Sequence, residues 1–339
     1  MQLVQLVVRK NYELNVMDCK LSIIIPAYNV EQWLERCVDS CERQDIPRSD
    51  YEIIIVDDGS KDNTLALAHR LAEKYGNITA LTQENGGSSK ARNAGLAQAR
   101  GEYLWFVDGD DYVVENCIAR VLGVCEENDL DICHFSLTRF CADGSTEPRE
   151  SYANAEVLLR GRDILLRNSS QVVCSACANF YKRAFLSDFG IRFTEGITQQ
   201  DVEINGRAFA VAQRCMMVND AMYMYFYNPE SIRRSPNIEK RKKYAGDTVR
   251  VAALHRDFYA EHSDTELRQY FMRHTNSRIA GGIYSMQKDG TNKEILNEFL
   301  RVAREKGLYP IKGKTLSWKW DLLRPIVNTP TLWWILKMI

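Results

Sequence analysis

The 339-residue sequence lacks two glycine signatures that phosphate-binding folds often carry. No Gly-x-Gly-x-x-Gly follows its first apolar segment, so a dinucleotide site is missing its key feature. No Gly-x-x-x-x-Gly-Lys-Ser/Thr is present either, so any phosphate must be handled by metal, arginine and backbone donors. Net charge is scarce as well. At −1 overall it gives no electrostatic case for nucleic acid as a partner. The five histidines are scattered, and none stands at an i, i+4 metal spacing with a helical glutamate. The start, MQLVQLVVRK, is apolar but has no basic lead and no small-residue cleavage site, so a secretory signal is not expected. There is no internal repeat and no low-complexity tract.

The ten cysteines are irregularly spaced, which points to reduced thiols in a cytosolic protein. Cys174 and Cys177 form a C-x-x-C. No second pair with matching spacing follows, so neither zinc nor redox work is expected there. Hydrophobic residues at 45% and charged residues at 26% are the balance of an ordinary globular protein. The length suits one large domain with an appendage, or two domains.

What the chain does have is an abrupt acidic stop. Residues 104–112 read Leu-Trp-Phe-Val-Asp-Gly-Asp-Asp-Tyr, an apolar run followed by three acids within four positions. The apolar part suits a strand buried on both faces of a parallel sheet. Its carboxyl end is where open α/β sheets bind ligands. Crowded carboxylates repel one another unless a cation or well-placed donors neutralise them. One reading is a hard divalent cation, Mg²⁺ or Mn²⁺, held together with a phosphate-bearing substrate. The other is an acidic turn in which Asp110 or Asp111 caps the next helix.

Around that run, strand and helix alternate. Strands are expected at 21–25 (stopped by Pro26), 53–56, 78–82 and 102–107, with helices at 30–41, after Asp62, and at 88–100. Such alternation implies an α/β, doubly wound, mainly parallel sheet with polar residues along one edge. Further on, strand-like stretches at 132–140, 172–181 and 216–227 accompany a helix at 200–211. Beyond residue 238 the chain reads as helices at 239–262, 264–287 and 292–306.

Several blocks occur in a telling order: Pro26-Ala27-Tyr28-Asn29, Asp57-Asp58-Gly59-Ser60, Asn85-Gly86-Gly87 with Ala91-Arg92-Asn93, and Asp108-Gly109-Asp110-Asp111. Together they resemble family 2 glycosyltransferases of the GT-A fold. The match is close over residues 20–130 and looser to about Ser235, through Phe180-Tyr181-Lys182-Arg183 and Glu195-Gly196-Ile197. The resemblance implies an inverting, metal-dependent transfer of a sugar from a nucleotide diphosphate sugar, expected to be UDP-linked, to an acceptor hydroxyl. It implies nucleotide contacts from Pro26, Tyr28, Asn29, Asp58, Arg92 and Asp108, and a metal, Mn²⁺ or Mg²⁺, on Asp110. Asp111 would help behind that acid or cap a helix. Asp57 is expected to serve the fold.

Asp201 matches the family's catalytic aspartate and is the expected general base, while Gln200 stands where the family usually has glutamate. Glu203 is the alternative base. Phe226 replaces an arginine often found in the family, and Arg233 or Arg234 are candidates to take over its contacts. Two rival readings remain: a non-catalytic sugar-nucleotide binding protein and a nucleotidyltransferase. The latter would want a basic glycine-rich loop after the first strand, which Pro-Ala-Tyr-Asn is not.

In domain terms, residues 1–16 are expected to be a poorly ordered extension, with Met17 an alternative start. Residues 17–237 form the GT-A domain, and 238–339 a helical C-terminal region. Its tail, residues 312–339, sets Lys312, Lys314, Lys319, Arg324 and Lys337 against Asp321, with Trp318, Trp320, Trp333 and Trp334 interleaved. That mixture suits either peripheral contact with a membrane or packing of a terminal helix on the body. The apolar run at 332–339 is far too short to span a bilayer. A glycan or lipid-linked glycan acceptor at the cytoplasmic face of a bacterial membrane follows as the expectation.

Overall fold

The structure is a computed structural model and describes residues 19–141, 144–148, 152–172, 175–226 and 236–338. The expected extension at 1–16, Cys174, Arg233 and Arg234 lie outside the described residues. The first half alternates as β1 (Leu21–Ala27), α1 (Leu34–Glu42), β2 (Tyr51–Asp57), α2 (Thr64–Tyr75), β3 (Ile78–Thr82), α3 (Ser88–Gln98) and β4 (Tyr103–Phe106). There follow β5 (Tyr112–Val113), α4 (Ile118–Asn128), β6 (Ile132–Phe140), β7 (Thr146–Pro148), α5 (Gly161–Val172), β8 (Asn179–Lys182), α6 (Arg183–Asp188), α7 (Gln200–Val211) and β9 (Cys215–Phe226). Four helices complete the chain: α8 (Ile238–Ala260), α9 (Thr265–Lys288), α10 (Lys293–Glu305) and α11 (Trp318–Val327).

The strands form one sheet in the order β3-β2-β1-β4-β8-β6-β9-β5, with β7 on β6. β1 to β4 pair in parallel as expected. Beyond them β8 enters antiparallel to both β4 and β6, so the second wing is mixed. Alternation along β1 sorts its side chains between two layers. Ile23 and Ile25 pack with Leu34, Cys37 and Val38 of α1, whereas Ile24 joins Leu104 and Phe106 against Ile164, Ile204 and Phe209. Burial on both faces is why these strands read as continuous apolar runs.

Pro26 does not end the first strand. It lies within β1, opposite Val56 of β2. The side where its missing N–H would point faces β4, whose pairing with β1 has stopped at Ile24–Phe106. A second correction concerns 172–181, where only Asn179–Lys182 is strand and Val172 ends a helix. Short apolar runs of this kind fit either element until packing decides. Nor does Asp110 or Asp111 cap a helix, since β5 follows directly and α4 begins only at Ile118.

The C-terminal helices have a core of their own, built from residues such as Val249, Ile279, Phe299 and Val327. Yet Tyr259, Leu267 and Phe271 belong to the core under the sheet. The helical region is therefore fused to the face that carries α7. Among the described residues no helix is long and apolar enough to cross a membrane.

Close approach fixes some glycines. A Cβ on Gly101 would lie 2.4 Å from Ser22 N and 2.6 Å from Leu21 C, both backbone atoms that have no room to give. Gly123, inside α4, faces open space. We predict that Gly101→Ala lowers stability by about 3 kcal/mol through overpacking, while Gly123→Ala raises it by roughly 0.5–1 kcal/mol through helix propensity. Urea denaturation midpoints of the two variants should move in opposite directions; equal shifts would contradict the packing assigned to Gly101.

Candidate active site

The site forms where the parallel strands end. The turn after β2 is shaped by Asp57, whose Oδ1 accepts from the Ser60 N–H (3.2 Å) and whose Oδ2 accepts from the Gly59 N–H (3.3 Å) and Thr82 hydroxyl (2.9 Å). Gly59 needs its positive φ of 72°, and a Cβ there would stand 2.9 Å from Asn85 N. Asn29 also adopts a left-handed φ, 52°. Its N–H donates to Ser60 Oγ at 3.0 Å and its Oδ1 accepts from the Lys61 N–H at 2.8 Å, which ties the first two strand-end loops together. Tyr28 stands beside it, 44% exposed, a ring face open for stacking.

Asp58 is buried, and its carboxylate is largely occupied. Oδ1 accepts from Gln83 Nε2 (2.7 Å) and the Gly86 N–H (2.9 Å), and Oδ2 from the Gly87 N–H (2.7 Å). In this geometry it holds the glycine loop, leaving one lone-pair direction on Oδ2 for a ligand.

Arg92 is the hub. Its side chain is only 2% exposed, and it reaches Asp108 Oδ1 at 2.6 Å and Asp201 Oδ1 at 3.2 Å. Its guanidinium also lies 5.1 Å from the Phe193 ring centre, within cation–π range. Burial works against its charge, but the two carboxylates outweigh that and keep it protonated. The arginine expected to contact the nucleotide is thus found inside the wall of the site, bridging two acids. Asn93, its neighbour, accepts from the Phe193 N–H at 3.0 Å and donates back to Phe193 O at 2.9 Å. That pair fastens α3 to the segment leading toward Asp201.

The acids after β4 divide their labour. Asp108 Oδ2 accepts from the buried Cys177 thiol, 3.4 Å away, which burial and the Asp108 charge keep protonated. Asp111 is buried; its Oδ2 accepts from Tyr223 Oη at 2.6 Å and its Oδ1 from the Phe226 N–H at 2.7 Å. Burial and the charges of Asp110 and Asp108 push its pKa well above the usual range. It fastens the acidic turn to β9, a role the sequence hid because these partners lie more than a hundred residues away.

Asp110 differs. Its backbone carbonyl accepts from Arg36 at 2.8 Å, and its carboxylate is bonded by its own backbone N–H, with no side-chain donor among the described residues. Burial, then the charge of Asp108, push its pKa up to about 6. A largely desolvated hard oxygen group held by no side-chain donor fits a divalent cation. No group of three or more His, Cys, Asp or Glu among the described residues is arranged to hold one, so the remaining ligands would come from donor phosphates and water.

Asp201 sits in the first turn of α7. Burial pushes its pKa up to about 6, against the pull of Arg92 and a bond from the Ala176 N–H. Such a carboxyl is better matched to proton transfer near neutrality than an ordinary aspartate. Gln200 donates to Ser88 Oγ at 2.9 Å, which places it between the starts of α7 and α3. Glu203 is buried, ion-paired to Arg207 at 2.6 Å and bonded by the Thr194 hydroxyl at 2.9 Å, so it is committed to structure.

Comparison with known proteins gives a consistent result. Residues 22–190 match the model of Glycosyl transferase family 2. An uncharacterized glycosyltransferase of Bacillus subtilis, EpsJ, is 35% identical over 220 residues, covering 64% of this chain and 63% of EpsJ. The poly(ribitol-phosphate) beta-N-acetylglucosaminyltransferase TarS of Staphylococcus aureus is 27% identical over 298 residues, covering 85% of this chain and 50% of TarS. The chain therefore spans less than two-thirds of either relative's length. Among solved structures, S. aureus TarS 1–349 with UDP-GlcNAc superimposes with a TM-score of 0.56 at 20% identity, over 86% of this chain and 93% of that one. The Pyrobaculum calidifontis mannosyltransferase PcManGT with GDP-Man and Mn²⁺ does so with 0.53 at 16% identity, over 97% and 91%. These likenesses establish the GT-A fold.

Tyr223 belongs to the loosely matching stretch before Ser235 but had no role in the sequence reading: its hydroxyl donates to Asp111 and accepts from the Asp108 N–H at 3.0 Å. We predict that Tyr223→Phe, which keeps the ring against Trp105, costs about 1–3 kcal/mol because two buried groups lose their partner. Chemical denaturation measures it. A midpoint equal to that of the parent protein would show that the hydroxyl does not support the acidic turn.

Proposed function

The chain belongs to glycosyl transferase family 2, and on that premise we propose that it moves a hexosyl or N-acetylhexosaminyl group from a UDP-sugar to an acceptor hydroxyl in cell-surface glycan synthesis. The observation that carries this reading is the Arg92 bridge, which brings Asp108 at the end of β4 and Asp201 at the start of α7 to one guanidinium. Asp201 takes the acceptor's proton as its oxygen attacks the anomeric carbon, in one displacement that inverts configuration. A single base suffices for this, and Glu203 is not available as a second carboxylate for a double displacement. Arg92 organises the two acids; direct contact with phosphate would require Asp108 to release it. Tyr28, Asn29 and Asp58 line the nucleotide side, with Pro26 in the last paired residues of β1 beneath them. A divalent cation at Asp110, Mn²⁺ or Mg²⁺, would neutralise charge on the departing diphosphate. UDP-GlcNAc in the TarS structure and Mn²⁺ in PcManGT support the donor and cation parts of this reading.

The acceptor, in this reading, is a glycan or lipid-linked glycan met at the cytoplasmic face of the membrane. The tail supports it in a specific way. Trp320 and Trp333 pack against the C-terminal core, which matches the packing alternative. Trp318, Leu322, Trp334 and Met338 are exposed by 71, 69, 60 and 76%, far beyond what packing needs. Trp318 and Leu322 share one face of α11, and Lys319 and Lys337 lie next to the exposed tryptophan and methionine in sequence.

Two outcomes are expected. Asp201→Asn should bind the nucleotide by calorimetry yet lose transfer, and Asp110→Ala should lose the dependence on added Mn²⁺ or Mg²⁺ together with the activity. In the parent protein kcat/KM should fall below pH about 6, since the base must be ionised and its pKa is raised to about 6. If Asp201→Asn keeps most of its rate, or release of nucleotide from a panel of nucleotide sugars is never seen, the reading fails.

The tail yields a further expectation. Replacing Trp318, Leu322 and Trp334 by serine should weaken co-sedimentation with anionic phospholipid vesicles severalfold and leave donor hydrolysis intact. Binding by the parent should also fall as salt screens the basic residues. Equal sedimentation of both proteins at low salt would remove the membrane from the proposal.

A further inference from the structure

The loop that leads into Asp201 is held from outside the sheet. Gln199, two residues before Asp201, has a left-handed φ of 61°, and Gly196 has 77°. A glutamine has no intrinsic preference for that region, so surrounding bonds must impose it. They come from α8 and α9. The Thr198 N–H donates to Asp247 Oδ2 at 2.8 Å, and Lys243 Nζ donates to Gly196 O at 2.6 Å. The side chain of Gln199 is gripped at both ends: its Nε2 meets Thr248 Oγ1, and its Oε1 accepts from Arg278 at 2.8 Å. Every one of these partners lies 47–79 residues from the loop in sequence.

Asp247 is the centre of this arrangement and is fully buried. Burial alone would raise its pKa, but bonds from Lys243, the Thr198 N–H and Arg250 outweigh it and hold the carboxyl below its ordinary value. A buried carboxylate contributes little to helix packing that an apolar residue would not contribute better. Its directed bond is to the loop. Resting on the transferase reading above, we propose that Asp247 is a positioning residue: through Thr198, and with Thr248 and Arg278 on Gln199, the C-terminal helices set the orientation of Asp201. The helical region is then part of the catalytic apparatus through the loop it holds.

The test uses the full chain with three variants. Asp247→Ala removes the acceptor for the Thr198 N–H, Asp247→Asn retains an oxygen there, and Thr248→Val removes only the hydroxyl that meets Gln199. We expect Asp247→Ala to lower kcat for transfer 10–100-fold with donor KM and nucleotide Kd within about twofold, Asp247→Asn to recover most of that loss, and Thr248→Val to lower kcat severalfold. Amide hydrogen exchange should show residues 198–201 losing protection in Asp247→Ala while the rest of α7 and α8 keep theirs. Unchanged kcat in folded Asp247→Ala and Thr248→Val overturns the proposal. So does a loss of kcat that tracks a loss of nucleotide affinity and thermal midpoint without rescue by asparagine. If Asp247→Ala does not fold, the Thr248→Val result decides alone. Should the parent protein process no nucleotide sugar, the transferase reading fails by itself, and the exchange pattern still judges the clamp.

Discussion

A buried guanidinium between two carboxylates organises this protein. Arg92 is nearly inaccessible and bonded to Asp108 and Asp201, one acid following strand β4 and the other opening helix α7. A cation in such a place is tolerated only when it is paired and hydrogen-bonded. The pairing therefore constrains everything that delivers the partners. α3 must lie close on the sheet, and a Cβ on its Gly95 would meet Ile24 Cγ2 at 2.4 Å. β4 must end at Phe106 so that Asp108 can turn back. α7 must begin where Asp201 faces α3, which the Gln200–Ser88 bond secures.

From that constraint the two halves of the structure acquire distinct tasks. The parallel wing supplies loops at its carboxyl edge, knitted by Asn29, Asp57 and Asp58 into one surface suited to a nucleotide. The mixed wing and the C-terminal helices supply and hold Asp201, the base of the proposed reaction. Tyr259 and Phe271 stack at 3.8 Å under α7, and the Tyr259 hydroxyl bonds Gly206 O. The proposed donor site and proton acceptor are thus built by separate parts of the chain, and one arginine bridges Asp108 and Asp201 between them.

Much of this organisation was legible in the residues. The strands of the parallel wing could be read because burial on both faces leaves unbroken apolar runs, and each ends in polar residues that became the site's edge. The pairing of Asp201 with that edge followed only from the family resemblance, since 109 residues separate it from Arg92. What pattern could not supply was occupation. Asp58, Arg92 and Asp111 could be singled out from the sequence, yet their partners, namely the Gly86 and Gly87 amides, Asp108 with Asp201, and Tyr223, are tertiary facts. Asp247 was invisible for the same reason: in a helix read for its apolar stripe, one acid looks like a solvated position, and only folding buries it.

The site is also assembled at a thermodynamic cost that its chemistry explains. The carboxyls of Asp110 and Asp201 are moved from 3.8 to about 6, mainly by burial. Because the folded values are raised, the stability these groups contribute is complete below about pH 4 and is lost as pH rises through 6. For a shift of that size the loss at neutral pH is roughly 3 kcal/mol per group, a large fraction of a typical domain's margin. Packing alone would replace such acids with neutral residues. Their retention makes sense if each has a partner that arrives later: a proton from an acceptor hydroxyl for Asp201, and a hard cation for Asp110. Asp247, by contrast, has its cations and its amide already in place, and its pKa is lowered rather than raised. The direction of the shift alone does not sort these acids, because Asp111 is raised as well and yet fastens the turn to β9; what sets Asp247 apart is the pair of cations beside it.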